Sequence, residues 1–224
     1  MVSGGDSSRA PAVRVKSRRT RGRPCQRYVG VVGSSLEESS SLERLRQHLL
    51  QHSIRTGEFV LKSGKRSDWF CDAKQTACRS EGILLIAEAV LALMPAEIDA
   101  IGGLAAGADP IAFGVAGVAA SRGRSLRAFS IRKEAKDHGI EGRLAGALEA
   151  GDRVLIVEDT VTRGRSPLEA ARVVRALGAG PQMILAVVDR GGTCAAAAAA
   201  AGLDYRALVT APQLGFDYES DTGA

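Results

Sequence analysis

The sequence has few cysteines and no long apolar run. Its 224 residues include four cysteines, which lie far apart and form no C-x-x-C pair. This spacing excludes a zinc knuckle and a disulfide scaffold, and it predicts a reducing compartment, which we take to be the cytoplasm. No apolar run reaches the ~18 residues that a membrane-spanning helix needs, so we expect a soluble protein with no membrane partner.

Acidic side chains are almost absent from the first 27 residues. This segment holds eight of the 30 Arg and Lys residues but one of the 25 Asp and Glu residues, so the rest of the chain is slightly acidic despite a net charge of +5. We therefore predict a disordered basic tail over residues 1–38, followed by one domain over residues 39–224 with no nucleic-acid partner. The alternatives for the tail are a targeting or RNA-binding arm, an organelle transit peptide and an over-long start.

The order of the predicted elements indicates an α/β fold. An amphipathic helix begins at Ser41, a hairpin with a turn at Gly64 follows over residues 59–74, and a helix extends from Arg79 to Met94. Strands are then predicted at 98–104, 126–131, 153–159, 182–189 and 205–210, and helices at 109–121, 166–177 and 195–201. This alternation predicts a central parallel sheet flanked by helices, with ligands bound beyond the carboxyl ends of the strands.

Two histidines, His48 and His52, are spaced i, i+4 on the first predicted helix. This spacing can chelate a metal ion, but no Glu follows His48 and no third ligand is evident. We therefore interpret the pair as part of a solvated helix face.

The loop after the strand VLIVED combines two carboxylates with a glycine- and hydroxyl-bearing turn. Backbone N–H groups at the start of the following helix can bind a phosphate, and the hydroxyls of Thr162 and Ser166 add donors. Glu158 and Asp159 can accept hydrogen bonds from ribose hydroxyls and face positive charge that develops on a sugar carbon. The alternative is an acidic strand end before an ordinary helix N-terminus.

A second loop, over residues 132–142, carries three cations and a histidine beside Gly139 and Gly142. Such a segment can close over a polyanion, because its charges are positive and its glycines permit movement. A solvated surface loop is an equal alternative at this point.

Four segments, in order along the chain, resemble those of a known enzyme family. VLIVEDTVTRGRS resembles the phosphoribosyl-pyrophosphate (PRPP) motif of type I phosphoribosyltransferases, and RKEAKDHG resembles the catalytic loop of the orotate phosphoribosyltransferase family. FVLKSGKRSDWFCDAK (59–74) resembles the N-terminal hood segment of that family, and GGLAAGADPIA (102–112) resembles its pyrophosphate-binding loop. The resemblance covers about residues 41–218. It implies the type I phosphoribosyltransferase fold, with a small hood over about residues 41–75.

The resemblance also implies an activity and its partners. The expected reaction transfers the phosphoribosyl group from PRPP to orotate, giving orotidine 5′-phosphate and diphosphate in pyrimidine synthesis. The expected cofactor is Mg²⁺, held mainly by the substrate, so no protein ligand is assigned to it. The working unit implied is a homodimer in which the 132–142 loop reaches the neighbouring subunit's site.

Individual residues receive roles from this resemblance. Lys136, Glu158 and Asp159 are expected to be catalytic. Orotate is expected to contact Phe70, Cys71, Thr162 and Arg190, although a salt bridge with Asp189 is the alternative for Arg190. PRPP is expected to contact Lys62, Arg132, Lys133, Lys136, His138, Glu158, Asp159, Thr160, Val161, Thr162, Arg163, Gly164, Arg165 and Ser166.

The chain departs from the family pattern at three places. Ala106-Gly107 stands where many members have Tyr-Lys, so one cation is missing, and Lys62, Arg132 and Lys133 are expected to supply more of the charge. Cys71 stands where a second aromatic residue is frequent, and Arg163 and Arg165 are bulky for a phosphate loop.

Two other functions are less consistent with the sequence. A phosphoribosyltransferase for another base is disfavoured by RKEAKDHG. A regulatory PRPP-binding protein that contacts nucleic acid through its tail is disfavoured because residues 1–38 show no helical periodicity.

Overall fold

The structure is a computed structural model, which describes residues 35–60, 66–134 and 141–219. Its helices are α1 Ser35–His52, α2 Lys74–Ala77, α3 Ser80–Leu93, α4 Asp109–Ser121, α5 Arg165–Ala176 and α6 Cys194–Ala200. Its strands are β1 Ile54–Val60, β2 Arg66–Cys71, β3 Ala100–Leu104, β4 Arg127–Ile131, β5 Leu144–Gly146, β6 Arg153–Val161, β7 Gly180–Asp189 and β8 Asp204–Thr210. Short 3₁₀ turns lie at Glu141–Arg143 and Pro212–Leu214. Within the described ranges, no helix is long and apolar enough to cross a membrane.

The central sheet has six strands in the order β5-β4-β3-β6-β7-β8. All neighbouring pairs are parallel except β4 and β5, which are antiparallel. The predicted parallel sheet is thus confirmed, with an added antiparallel edge strand. The sequence did not indicate β5, because three residues are too few to show a period. Its pairing of Ile131 with Leu144 brings together the two ends of the charged loop.

The central parts of the strands are largely apolar because both sheet faces are covered. Successive residues of β6 point to opposite faces, as the pleat requires. Leu155 and Val157 pack into one hydrophobic cluster with residues of α1, α3 and α4. Val154 and Ile156 pack into a second cluster with residues of α5 and α6.

The hood contains an antiparallel hairpin of β1 and β2, in which Ile54 pairs with Cys71. This confirms the predicted hairpin, while its expected turn at Gly64 lies outside the described residues. The helix predicted from Ser41 begins earlier, at Ser35, so the boundary predicted for the tail at residue 38 falls inside α1. The rest of the predicted tail, residues 1–34, lies outside the described residues.

The sequence did not predict α2, and the helix face of His48 and His52, which was expected to be solvated, is partly buried. The four residues of α2 are too short to show a helical period. His48 is half-buried rather than solvated, because its Nδ1 lies 3.2 Å from Thr76 Oγ1 of α2. The rings of His48 and His52 are 4.4 Å apart between centroids.

Candidate active site

The loops after β6 and β7 meet the hood around a cavity of about 1450 Å³. Several residues expected from the sequence lie together around it, although they are distant in the chain. Phe70 and Cys71 belong to the hood, and residues 160–166 form the loop after β6. Arg190 directly follows β7. The cavity is also lined by Trp69, Lys74 and residues 215–219, to which the sequence assigned no role.

Glu158 and Asp159 lie in β6, which extends beyond the predicted end at residue 159 to Val161. Each carboxylate is 6% exposed. Asp159 Oδ1 accepts a hydrogen bond of 2.8 Å from the N–H of Thr160. Glu158 Oε2 is buried and has no hydrogen-bond partner among the described residues. The pair is therefore a largely desolvated acidic group at the base of the site.

A lysine that the sequence did not indicate contacts this pair. Lys74 Nζ lies 2.9 Å from Asp159 Oδ2 and 3.2 Å from Asp72 Oδ1. Lys74 belongs to α2, 85 residues before Asp159 in the chain, so no spacing rule connects them. Burial lowers the pKa of Lys74, but hydrogen bonds and charges of Asp159 and Asp72 outweigh this and raise it. Lys74 is thus a fixed cation at the carboxylate pair.

Burial and the neighbouring charge change the protonation of Glu158. Desolvation first, and then the charge of Asp159, raise the pKa of Glu158 to about 9. At neutral pH Glu158 therefore carries a proton and can donate a hydrogen bond. The two adjacent carboxyl groups consequently differ in what they offer to a ribose hydroxyl.

The pyrophosphate-loop segment after β3 lies directly on this pair. A Cβ atom at Gly107 would be 2.6 Å from Asp159 Oδ1 and 2.7 Å from Glu158 Oε1. Real Cβ atoms do not approach so closely, so in this chain a larger residue at position 107 would require the loop or the carboxyl groups to move. The peptide bond between Ala105 and Ala106 is cis.

The loop from Thr160 to Ser166 turns from β6 into α5. Gly164, immediately before α5, has a φ of +73°, a left-handed conformation that favours glycine. A Cβ atom there would also be 2.7 Å from the Sγ of Cys194. The loop thus presents the N-terminus of α5 to the cavity, where backbone N–H groups favour an anion. Arg163 and Arg165 are exposed at the cavity wall.

Arg190 lines the cavity among aromatic rings. Its guanidinium carbon is 4.8 Å from the ring centroid of Trp69 and 6.0 Å from that of Phe70. Arg190 Nη2 forms an ion pair with Glu219. Hood residue Trp69 also stacks on Phe216, with centroids 4.5 Å apart and rings inclined by 9°.

The expected alternative for Arg190, a salt bridge with Asp189, is wrong. Asp189 Oδ1 accepts hydrogen bonds from the N–H groups of Gly191 and Gly192 at 3.0 and 2.8 Å. Its other oxygen accepts a bond of 2.8 Å from the Tyr205 hydroxyl. Asp189 therefore holds the loop after β7, and the partner of Arg190 is Glu219.

Two of the residues assigned to orotate differ in exposure. Phe70 is 37% exposed, whereas Cys71 is 4% exposed. Burial is the main cause that raises the pKa of the Cys71 thiol to about 12, so this group is a neutral part of the wall. Strand alternation accounts for the buried ring of Trp69 beside the exposed ring of Phe70.

The described ends of the charged loop do not line the cavity. Arg132 Nη1 donates to the carbonyl of Gly142 at 3.3 Å, and Lys133 is exposed. Arg143 fixes the base of the loop by donating to the carbonyl of Arg132 at 2.7 Å and pairing with Glu169 at 2.6 Å. The other cations assigned to PRPP, namely Lys62, Lys136 and His138, lie outside the described residues.

Comparison with known proteins gives close similarity to one group of enzymes. The chain is 39% identical over 175 residues to the orotate phosphoribosyltransferase of Streptomyces avermitilis, covering 77% of this chain and 96% of that protein. It is 38% identical over 181 residues to the same enzyme of a Bradyrhizobium species, covering 79% of this chain and 98% of that protein. No family model matches the chain.

Solved structures agree with the sequence comparison. The crystal structure of Mycobacterium tuberculosis orotate phosphoribosyltransferase in complex with PRPP is 30% identical, with a TM-score of 0.65, and the match covers 79% of this chain and 99% of that one. The same enzyme with Fe(III) dicitrate gives 33% identity and a TM-score of 0.69 over the same shares. An adenine phosphoribosyltransferase from Thermoanaerobacter pseudethanolicus, at 18% identity and a TM-score of 0.51, shares the fold alone.

Proposed function

The chain belongs to the orotate phosphoribosyltransferase family, and we propose how its residues divide the work of that reaction. The enzyme transfers the phosphoribosyl group of PRPP to orotate. A ring nitrogen of orotate forms a bond to the anomeric carbon, and the bond from that carbon to the pyrophosphate oxygen breaks. The electron pair leaves with the pyrophosphate, which also takes up the proton that the ring nitrogen loses. The products are orotidine 5′-phosphate and diphosphate.

We propose that the carboxyl pair and the loop after β6 bind the phosphoribosyl group. The observation that carries this assignment is that residues 160–166 and Arg190 line one cavity, next to the buried pair of Glu158 and Asp159. The loop and the N-terminus of α5 suit a 5′-phosphate because their N–H groups and hydroxyls are donors. Protonated Glu158 can donate a hydrogen bond to the oxygen of a ribose hydroxyl, and Asp159 can accept a hydrogen bond from a ribose hydroxyl.

The same pair faces the charge that develops during the reaction. As the pyrophosphate leaves, positive charge builds on the anomeric carbon, and a nearby carboxylate lowers the energy of that state. Lys74 holds Asp159 in place by a bond of 2.9 Å and adds a positive charge where the polyanionic substrate enters.

Orotate is assigned to the part of the cavity wall that contains Arg190 and the hood residue Phe70. Arg190 can donate two hydrogen bonds to a carboxylate or a ring carbonyl, and its planar group also lies over aromatic rings. Phe70 offers an exposed ring face for stacking. Thr162 and Cys71 complete the wall next to the base.

The leaving pyrophosphate is assigned to the cations of the hood and of the 132–142 loop, which are Lys62, Arg132, Lys133, Lys136 and His138. We propose that this loop acts in the site of a neighbouring subunit, so that the enzyme works as a homodimer. Packed helices α3 and α4 support association, because each carries an exposed apolar side chain: Leu84 is 51% exposed and Phe113 is 50% exposed. A contiguous exposed apolar surface marks an interaction site, and substitution of Phe113 tests whether these side chains belong to one.

Magnesium is proposed to enter with PRPP rather than to occupy a protein site. Over the described part of the chain, no three His, Cys, Asp or Glu side chains are placed to hold a metal ion. Asp159 Oδ2 lies 2.9 Å from Lys74 Nζ, so this carboxylate oxygen already has a cationic partner. When it is bound to the substrate, Mg²⁺ neutralises pyrophosphate charge.

We further propose that the enzyme acts in the cytoplasm and that its basic tail has no catalytic part. Removing residues 1–34, which ends immediately before α1, is expected to leave turnover and melting temperature unchanged. A loss of activity beyond about tenfold, or ~1.4 kcal/mol of barrier, would assign the tail a role.

An assay of orotate consumption tests the function. Purified protein with PRPP and Mg²⁺ is expected to consume orotate and form diphosphate, whereas hypoxanthine, adenine and uracil neither react nor compete. Arg190→Ala is expected to raise the KM for orotate much more than the KM for PRPP, because the lost contact is to the base. Turnover of another base in place of orotate would refute the function.

A further inference from the structure

The segment at the end of the described chain, Phe216–Glu219, contacts Arg190 twice. Arg190 Nη2 donates to Glu219 Oε1, and the N–H of Glu219 donates to the Arg190 carbonyl at 2.8 Å. Their side chains are 9% and 16% exposed, so the ion pair is largely shielded from water. A charge-assisted bond in such surroundings fixes the direction of a guanidinium better than an exposed pair does.

The same segment builds the rest of this wall. Phe216 stacks on the Trp69 ring, over which the Arg190 guanidinium also lies. The Tyr218 ring lies beside Gly192, where a Cβ atom would be 3.1 Å from it. Three side chains of one short segment therefore lie against the hood and the loop after β7.

Arg190 has hydrogen-bonding capacity left over. Its Nε is buried and has no partner among the described residues. A buried donor without an acceptor in the chain is free to bind the oxygen of a ligand or of an ordered water molecule. Because Arg190 lines the cavity, a ligand oxygen that enters there can approach the guanidinium.

We propose that Glu219 is a positioning residue for orotate, which holds the Arg190 guanidinium against Trp69 in the orientation that binds the base. The inference rests on the proposed function. Glu219 acts through Arg190 and does not touch the reacting atoms. Without Glu219, the long arginine side chain gains rotational freedom, and this freedom has to be lost again when orotate binds.

Trp69 provides a direct test because it is the one tryptophan of the sequence. Its fluorescence reports orotate binding without turnover, since Arg190 and Phe216 both contact its ring. In Glu219→Ala we expect the Kd and the KM for orotate to rise about 10- to 100-fold, the equivalent of ~1.4–2.8 kcal/mol. The KM for PRPP should change less than about twofold, because the phosphoribosyl end is untouched.

Two further variants separate positioning from charge and from folding. Glu219→Gln keeps an oxygen that accepts a hydrogen bond from Arg190 Nη2, so it should bind orotate more tightly than Glu219→Ala does. If Glu219→Ala is unstable, the KM of Glu219→Gln for orotate tests the positioning role in its place. As a control, Asp204→Asn removes an exposed carboxylate that does not line the cavity, and it should leave both KM values unchanged.

A double-mutant cycle gives the remaining outcomes. Glu219→Ala should add almost nothing to Arg190→Ala, since both remove one interaction. Full additivity of the two effects, or an unchanged or lower KM for orotate in Glu219→Ala, overturns the positioning role. If the wild-type protein consumes no orotate, the proposed function fails, and the inference fails with it.

Discussion

Lys74 of α2 and Asp159 of β6 form an ion pair of 2.9 Å that connects the hood to the central sheet. The Asp159 side chain is 8% exposed, whereas that of Lys74 is 48% exposed. The lysine thus reaches from the cavity wall to a buried carboxylate. This contact gives the buried Asp159 carboxylate a cationic partner.

The first prediction concerns this lysine. In Lys74→Met we expect kcat/KM for PRPP to fall about 10- to 100-fold, or ~1.4–2.8 kcal/mol, because a polyanion then meets acidic groups without their counterion. Lys74→Arg should retain part of the activity. As a matched control, Arg122→Gln removes an ion pair with Glu88 that is exposed on both sides, and it should have no effect on steady-state kinetics. A change in the KM for orotate alone would contradict the assignment.

The second prediction concerns Gly107. Its alanine variant would place a Cβ atom 2.6 Å from Asp159 Oδ1, so either the loop or the carboxylate has to move. We expect kcat/KM for PRPP to fall about 100-fold or more in Gly107→Ala, since misplaced groups at a preorganised site are costly. Gly117→Ala is the control, because a Cβ atom there meets nothing within 4 Å and a helix favours alanine. Equal kinetics in both variants would show that the loop is not set by this contact.

The third prediction follows from the raised pKa of Glu158. The folded protein binds this proton more tightly than the unfolded chain does, because the pKa rises from 4.5 to about 9 on folding. The stability that Glu158 contributes is therefore complete below the lower value and is lost as the pH rises toward the upper one. Relative to Glu158→Gln, which stays neutral, the wild-type protein should lose melting temperature between about pH 5 and pH 9. Thermal unfolding of both proteins across this range measures the difference, and parallel curves would mean that Glu158 ionises normally.

The fourth prediction addresses Lys136, which lies outside the described residues. Lys136→Ala should reduce turnover about 10²- to 10³-fold, the range for loss of one preorganised contact to a transition state. Mixing it with inactive Asp159→Asn tests whether the loop crosses between subunits. A heterodimer then contains one intact site and should recover up to about half of the wild-type turnover. If subunit exchange is seen by mass spectrometry but activity does not return, each loop serves its own subunit.

The fifth prediction concerns self-association. If the exposed apolar side chains of α3 and α4 lie in the dimer interface, Phe113→Asp should shift the protein toward the monomer in light scattering, since a charge is costly to bury. Leu93→Asp alters another exposed apolar residue of α3 and maps how far the surface extends. An unchanged dimer in both variants would place the interface elsewhere.

The sequence was sufficient for features that depend on neighbouring residues. The helix predicted at 109–121 has the observed bounds, Asp109–Ser121, because Pro110 and Asp109 mark its first turn. The five parallel strands of the central sheet were found because burial on both faces leaves apolar runs. Glu158 and Asp159 were found for the related reason that two charges directly after such a run are unusual.

Features that depend on distant contacts could not be found in this way. Lys74 looks like any polar residue of a short turn until α2 is placed beside β6. Glu219 lies 29 residues from Arg190, in a segment without a periodic pattern, and the sequence offered the adjacent Asp189 as the simpler partner. Asp189 is instead occupied by the N–H groups of its own turn and by Tyr205, which only the folded chain brings together.

The approach of Gly164 to Cys194 has a consequence for how this chain can change in evolution. A Cβ atom added at position 164 would lie 2.7 Å from the sulfur of Cys194, and replacing Cys194 by a smaller residue would remove this clash. It would not remove the left-handed φ of +73°, which disfavours any other residue there. No substitution at position 194 can therefore release the glycine at position 164, while the burial of Cys194 limits what can replace the thiol. Among descendants of this sequence we expect any change at 194 to be small and to occur without a matching change at 164.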